Sequence, residues 1–270
     1  MSSVELLAPD ALGQIRRLAV AWRNRVQKTI HDVAVLDVEP DSSSFRFQYL
    51  ESVESVPGFR PFIGFPDIHR VYESSRLWPF FDLRVMDRKR PDYSQYVGWL
   101  GLPEDADRVD ILSRSGGEQK GDSVSLVEAP PVAVDGATAA TFLVRGTRYA
   151  VHSNDSADTA NRLRPGDHLT VVDDETNEAN PDALLLTVAG DPIGWIPDLL
   201  IEYAQEVLKS GGTVTVVQNN GLDAPWHMRL LVRLAGRATP GWSTFTGGQW
   251  PAQRPIALSS MGFSAPHRGR

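Results

Sequence analysis

Hydrophobic and polar positions along this chain repeat with more than one period, and each period predicts a different element. Over residues 10–30 the apolar side chains Leu12, Ile15, Leu18, Ala19, Trp22, Val26 and Ile30 recur at intervals of three and four, the spacing of one helical face. This stretch is predicted as a helix, with Asp10 after Pro9 as its N-cap. Residues 33–38 form a short apolar run that ends at Pro40, and Phe45, Phe47 and Tyr49 alternate with polar residues, so two strands are predicted there. After an aromatic- and proline-rich stretch (residues 59–81), Tyr93, Tyr96, Val97 and Leu100 mark a helix over residues 92–100 capped by Asp92. Alternation resumes from Val124 in a further strand.

Residues 129–140 hold two prolines and many small side chains and are predicted to be a linker. Beyond it, short strands are predicted at residues 141–144, 169–172, 183–188, 192–195, 213–218 and 228–234. One helix at 197–209 interrupts them, with Leu199, Leu200, Tyr203, Ala204, Val207 and Leu208 turned inward. From Arg237 onward the sequence has no periodicity, and a loosely ordered tail is expected. The fold class predicted is α+β with two domains, residues 1–130 and 141–236, the second a small OB-like β-barrel with one main helix, followed by a tail over residues 237–270.

Composition narrows the chemistry. The 270 residues contain no cysteine, which removes disulfides, thiolate metal sites and cysteine nucleophiles together. The six histidines are never three to five residues apart, so no local metal-binding pair exists and no metal is expected. The loop Gly116-Gly-Glu-Gln-Lys-Gly121-Asp-Ser has its lysine ahead of the second glycine and Asp122 where a phosphate-binding loop needs lysine, so it is expected to be a turn. With no nucleophile elbow and no dinucleotide fingerprint, neither catalysis nor a cofactor is expected. No apolar run approaches the ~20 residues of a membrane span, and the first residues lack the pattern of a secretory signal, so a cytoplasmic address is expected.

Net charge is −7, which argues against a basic coat over the whole surface and confines phosphate contacts to local patches. The most basic stretch is residues 11–30, where Arg16, Arg17, Arg23, Arg25 and Lys28 meet no acidic residue; on the predicted helix they form one face and are candidate phosphate contacts. Residues 237–270 carry four arginines and no acid.

The stretch from residue 141 to 236 resembles a HIRAN domain. The resemblance rests on Phe142-Leu-Val-Arg-Gly-Thr-Arg-Tyr149, Arg164-Pro-Gly-Asp-His-Leu169, the Asn-rich turn Asp174-Glu-Thr-Asn-Glu-Ala-Asn-Pro-Asp-Ala183, Ile193-Gly-Trp-Ile-Pro197 and Pro225-Trp-His-Met228. It implies an OB-like barrel that binds single-stranded DNA or DNA ends. Its nucleotide pocket would use Arg148 and Tyr149 on the first strand, Asn180 in the Asn-rich turn, Trp195, and Leu222 as an apolar wall. Departures from the family pattern are Ala179 before Asn180, Ala150, and Asp198 where a basic residue is usual. Residues 33–128 are more loosely similar to the N-terminal subdomain of HipA-type kinases, through Phe45-Arg-Phe-Gln-Tyr-Leu50, Ile63-Gly-Phe-Pro66, Leu77-Trp-Pro-Phe-Phe-Asp-Leu-Arg-Val-Met86 and Asp110-Ile-Leu-Ser-Arg-Ser-Gly-Gly117, with the kinase core absent. Two functions follow as expectations. One is a nucleic-acid-binding accessory protein without catalysis; the other is a regulator whose front half binds a kinase or antitoxin partner.

Overall fold

A computed structural model describes residues 14–39, 43–119, 121–150, 159–177 and 180–256. The predicted N-cap Asp10, Ala179 of the Asn-rich turn and the arginines after residue 256 lie outside the described residues. The chain is α+β, with two antiparallel sheets and few helices.

The first sheet contains β1 (Arg16–Arg23), β2 (Ile30–Val38), β3 (Phe45–Tyr49), β4 (Tyr72–Ser74) and β5 (Val124–Glu128), in the order β4-β3-β2-β1-β5. The helix predicted over residues 10–30 is therefore corrected to a β-hairpin. Leu18, Val20 and Trp22 alternate with Ala19 and Ala21, so the window also satisfies a period of two, and β1 pairs with β2 through Leu18 opposite Leu36 and Val20 opposite Ala34. Both faces of β1 are buried, as expected of a strand that is covered on each side. Val26, which the helical reading placed on the apolar seam, is 92% exposed at the hairpin tip.

Three helices cover this sheet: α1 (Pro79–Asp82), α2 (Tyr93–Trp99) and α3 (Arg108–Ser115). The carboxylate of Asp92 does not cap α2 but forms a bidentate pair with Arg90, at 2.9 Å for each bond. In α3 the Asp107 side chain accepts from the Asp110 amide, and Gly116 ends the helix at φ 74°. Phe47 lies at the centre of the core beneath, its ring 4.1 Å from that of Phe65 and 5.6 Å from that of Phe81.

The second sheet holds β6 (Ala137–Leu143), β7 (His168–Asp173), β8 (Leu184–Val188), β9 (Asp191–Trp195), β10 (Thr213–Asn219) and β11 (Leu230–Arg237), in the order β6-β11-β10-β7-β8-β9. The short helix α4 (Thr147–Ala150) follows β6, and α5 (Ile201–Lys209) buries Tyr203, Ala204 and Val207 against the sheet. Just past the end of β6, Arg145 and Trp195 exchange backbone hydrogen bonds of 2.9 and 2.8 Å, which link the first and last strands at one residue pair. Gly194 permits this approach, because a Cβ there would lie 2.5 Å from the Arg145 carbonyl oxygen.

Two clusters of buried side chains underlie the sheets, yet Leu143, Met228 and Leu231 of the second half pack into the first cluster. The predicted linker is short and ordered: the Ala129 amide bonds the Arg17 carbonyl, and Val132 bridges to Thr138 as the chain turns into β6. The predicted loose tail is also corrected, through residue 256. Arg17 and Asp37, partners across β1 and β2, form a fully buried bidentate pair (2.7 and 2.9 Å), and Arg17 Nη1 donates to the carbonyls of Phe245 (3.0 Å) and Pro251 (2.7 Å). Arg46 donates to the carbonyls of Arg254 and Pro255, and Trp242 packs on Tyr203, so this segment binds to both halves. Aperiodic sequence lacks a stripe that would signal such packing, because its contacts run through backbone carbonyls. Among the described residues no helix is long and apolar enough to cross a membrane.

Candidate nucleic-acid interface

The residues expected to contact nucleic acid divide into three groups. Arg16 and Arg17 are removed from the set. They lie on β1 with their guanidiniums held by acids, Arg16 by Glu128 (2.6 Å) and Asp110 (3.0 Å), and Arg17 by Asp37. Arg23, Arg25 and Lys28 remain exposed around the tip of the β1–β2 hairpin.

Arg148 and Tyr149 are not on the first strand, as the resemblance implied, but on α4, the helical turn that follows it. Gly146 starts this turn with a positive φ of 64° and accepts from the Tyr149 and Ala150 amides, so the chain reverses and turns Arg148 and Tyr149 outward. Arg148 is exposed and the Tyr149 side chain is 67% exposed. Thr147, buried beneath them, donates to the Trp226 carbonyl at 2.6 Å and ties α4 to the 3₁₀ turn Trp226–Met228. Trp226 is 40% exposed, and the Arg229 guanidinium lies over its ring, 3.5 Å from the centroid. Leu222, 65% exposed, joins Thr147, Trp226 and Arg229 around a notch of about 80 Å³. That volume is far below the ~300–1,000 Å³ of small-molecule sites, so the notch does not enclose a ligand of that size. Trp226 and Arg229 escape a reading of the sequence because Pro225-Trp-His-Met228 serves there only as a strand marker.

Trp195 and Asn180 lie on the other side of residue 146, in a cleft of about 760 Å³ between the two halves. The Trp195 indole N–H donates to Asp174 at 2.9 Å, which holds that carboxyl below its ordinary range, and its ring packs on Gly146, where a Cβ would meet it at 2.5 Å. Asn180 Nδ2 donates to Asp198 (2.7 Å) and its Oδ1 accepts from the Asp182 amide (3.0 Å). Both side chains are thus engaged in holding the turn and strand, and neither presents a free edge to a base.

The walls of this cleft carry opposing charges. Arg23 and Lys28 lie on the hairpin side, while Asp32, Asp198 and Glu202 lie close enough to one another to interact. Burial, followed by the Glu202 and Asp198 charges, pushes the Asp32 carboxyl up to about 6. A folded-state value above the ~3.9 of an unfolded aspartate means that the folded chain holds an extra proton between about pH 4 and 6, so this contribution to stability is lost as pH rises through 6. Asp32→Asn should therefore raise the melting temperature at pH 8 and change it little near pH 4, as read from thermal unfolding at both values. Such a cleft repels a phosphate chain along its acidic wall, whereas the α4 platform offers aromatic faces with Arg148 and Arg229. Comparison of the chain with protein-family models, curated proteins and solved structures finds no match.

Proposed function

We propose that the chain is an accessory protein that binds single-stranded nucleic acid, DNA in the first instance, on the platform formed by α4 and the Trp226–Met228 turn, without catalysis of its own. The observation that carries this reading is the pair of exposed aromatic side chains, Tyr149 and Trp226, each beside an arginine, on two elements locked together by Thr147. Every base has a π-face, so such a surface stacks unpaired bases without needing their sequence, while a guanidinium beside it meets phosphate. The resemblance to HIRAN domains supports nucleic acid as the ligand and Arg148, Tyr149 and Leu222 as site residues, though not Asn180 and Trp195. The link between Arg145 and Trp195 supports reading the second sheet as an OB-like barrel pinned at one residue pair.

Titration of labelled single-stranded DNA by fluorescence anisotropy at two salt concentrations tests the proposal. Affinity is expected at low salt and should fall as salt rises, since each phosphate contact releases counterions. No affinity at low salt would overturn it and leave the alternative, a regulator whose front half docks a kinase or antitoxin partner.

A further inference from the structure

The tip of the β1–β2 hairpin has a construction that the platform does not explain. Asn24, buried at its base, accepts from the Val26 and Gln27 amides through Oδ1 (3.0 and 3.1 Å) and donates through Nδ2 to the Pro57 carbonyl (3.0 Å). The Asn24 amide bonds the Thr29 carbonyl, and the Arg23 amide bonds that of Ser123. The turn is thus fixed at both legs and at its centre, and Lys28 sits in left-handed backbone at φ 60°. This scaffold presents Val26 outward, 92% exposed, with Arg23, Arg25 and Lys28 exposed around it.

The buried and partly buried arginines Arg16, Arg17, Arg46, Arg84 and Arg145 each meet a carboxylate, whereas exposed arginines such as Arg60, Arg70 and Arg76 form no ion pair among the described residues. The three cations at the tip form no ion pair among the described residues; Arg25 Nε donates only to the Ser123 hydroxyl, at 2.8 Å. A turn anchored in this way, with a bare aliphatic side chain and exposed cations at its tip, is convex. It cannot enclose a single strand, and an aliphatic tip offers no flat surface for stacking. Its complement is concave and anionic, which is the groove of a nucleic-acid duplex, whose two phosphate walls the flanking cations would neutralise.

We infer that the hairpin tip is a duplex-binding element, and that the protein's preferred ligand is a junction at which a duplex at the tip continues as a single strand on the α4 platform. This inference rests on the single-strand reading above for its second half only. Arg23 and Lys28 line the same cleft as Gly146, the residue that starts α4, so a strand that joins the two places would keep to this cationic side and away from Asp198 and Glu202.

Three labelled DNAs separate the parts: a short single strand, a blunt duplex, and the same duplex with a single-stranded overhang. Linked contacts reinforce one another, so the wild-type chain should bind the overhang duplex at least about tenfold tighter than either part. Arg25→Ala/Val26→Ser/Lys28→Gly removes two of the three charges and the aliphatic tip while glycine suits the backbone at position 28. This variant should bind the single strand normally, lose at least about tenfold on the overhang duplex, and show a salt slope smaller by about two. Its melting temperature should match the wild type, since the altered side chains are exposed. Unchanged affinity for both duplexes would overturn the tip assignment and leave the platform standing. If instead the tip variant loses duplex binding while Tyr149→Ala leaves the single strand bound as before, the tip assignment holds and the platform reading fails. Absence of binding to all three DNAs at low salt would overturn both.

Discussion

Asp37→Ala is expected to destabilise the chain by about 3–5 kcal/mol, because it leaves the Arg17 guanidinium buried without its counter-charge. In a chain of this size that corresponds to a fall in melting temperature on the order of 10 °C, measurable by calorimetry. The pair is fully buried and both of its hydrogen bonds are short. The consequence reaches beyond the sheet, because Arg17 also holds the carbonyls of Phe245 and Pro251 and so anchors residues 245–251 over β1. Arg17→Met/Asp37→Leu separates the two effects. Replacing a buried pair by apolar side chains of similar volume is often close to neutral, so the double variant should recover most of the lost stability. It should still be cut by protease within residues 238–256, where the wild-type chain resists. A single Asp37→Ala variant that melts with the wild type would contradict the role assigned to this pair.

The second large effect concerns binding. Tyr149→Ala and Trp226→Ala should each cost about 1–3 kcal/mol of affinity for single-stranded DNA through a lost stack. Together they should cost somewhat less than the sum if they share one ligand, since neighbouring contacts couple. Both rings are exposed, and the Trp226 carbonyl that accepts from Thr147 is retained in the alanine variant, so melting temperatures should hold. Arg148→Ala should weaken binding and also flatten the salt slope by about one. Trp195→Ala behaves differently under this account. It removes the indole that packs on Gly146 and donates to Asp174, so the loss should appear first in thermal stability. An affinity unaffected by the double aromatic variant would place the nucleic acid elsewhere on the chain.

Much of the second half is legible in the sequence. Its strands are short and bounded by glycine and proline turns, and the first half of β10 alternates buried with more exposed positions. The N-terminal hairpin is not, because Leu18-Ala-Val-Ala-Trp22 satisfies helical and strand periods at once. The deciding factor is the hydrogen-bond partner in β2, and the chain order alone does not show it. The same misreading turned two ion-paired arginines, the half-buried Arg16 and the buried Arg17, into a surface stripe. Among the site residues, Arg148 and Tyr149 are exposed on α4, which Thr147 ties to the Trp226–Met228 turn, and Leu222 borders the notch beside that turn, whereas Trp195 and Asn180 line the cleft. The two tryptophans differ in their partners: the Trp195 indole N–H donates to Asp174, whereas Arg229 lies over the Trp226 ring. Tertiary contacts of that kind leave no trace in spacing.

The central claim is that unpaired bases stack on α4 and the adjoining turn, and photo-crosslinking with peptide mapping tests it most directly. A single-stranded oligonucleotide bearing a photoreactive base, irradiated with the wild-type chain at low salt, should attach within residues 145–150 and 222–229, with the yield falling as salt rises. Cross-links confined to other segments, or a yield no higher than that of an unfolded control, would contradict the account.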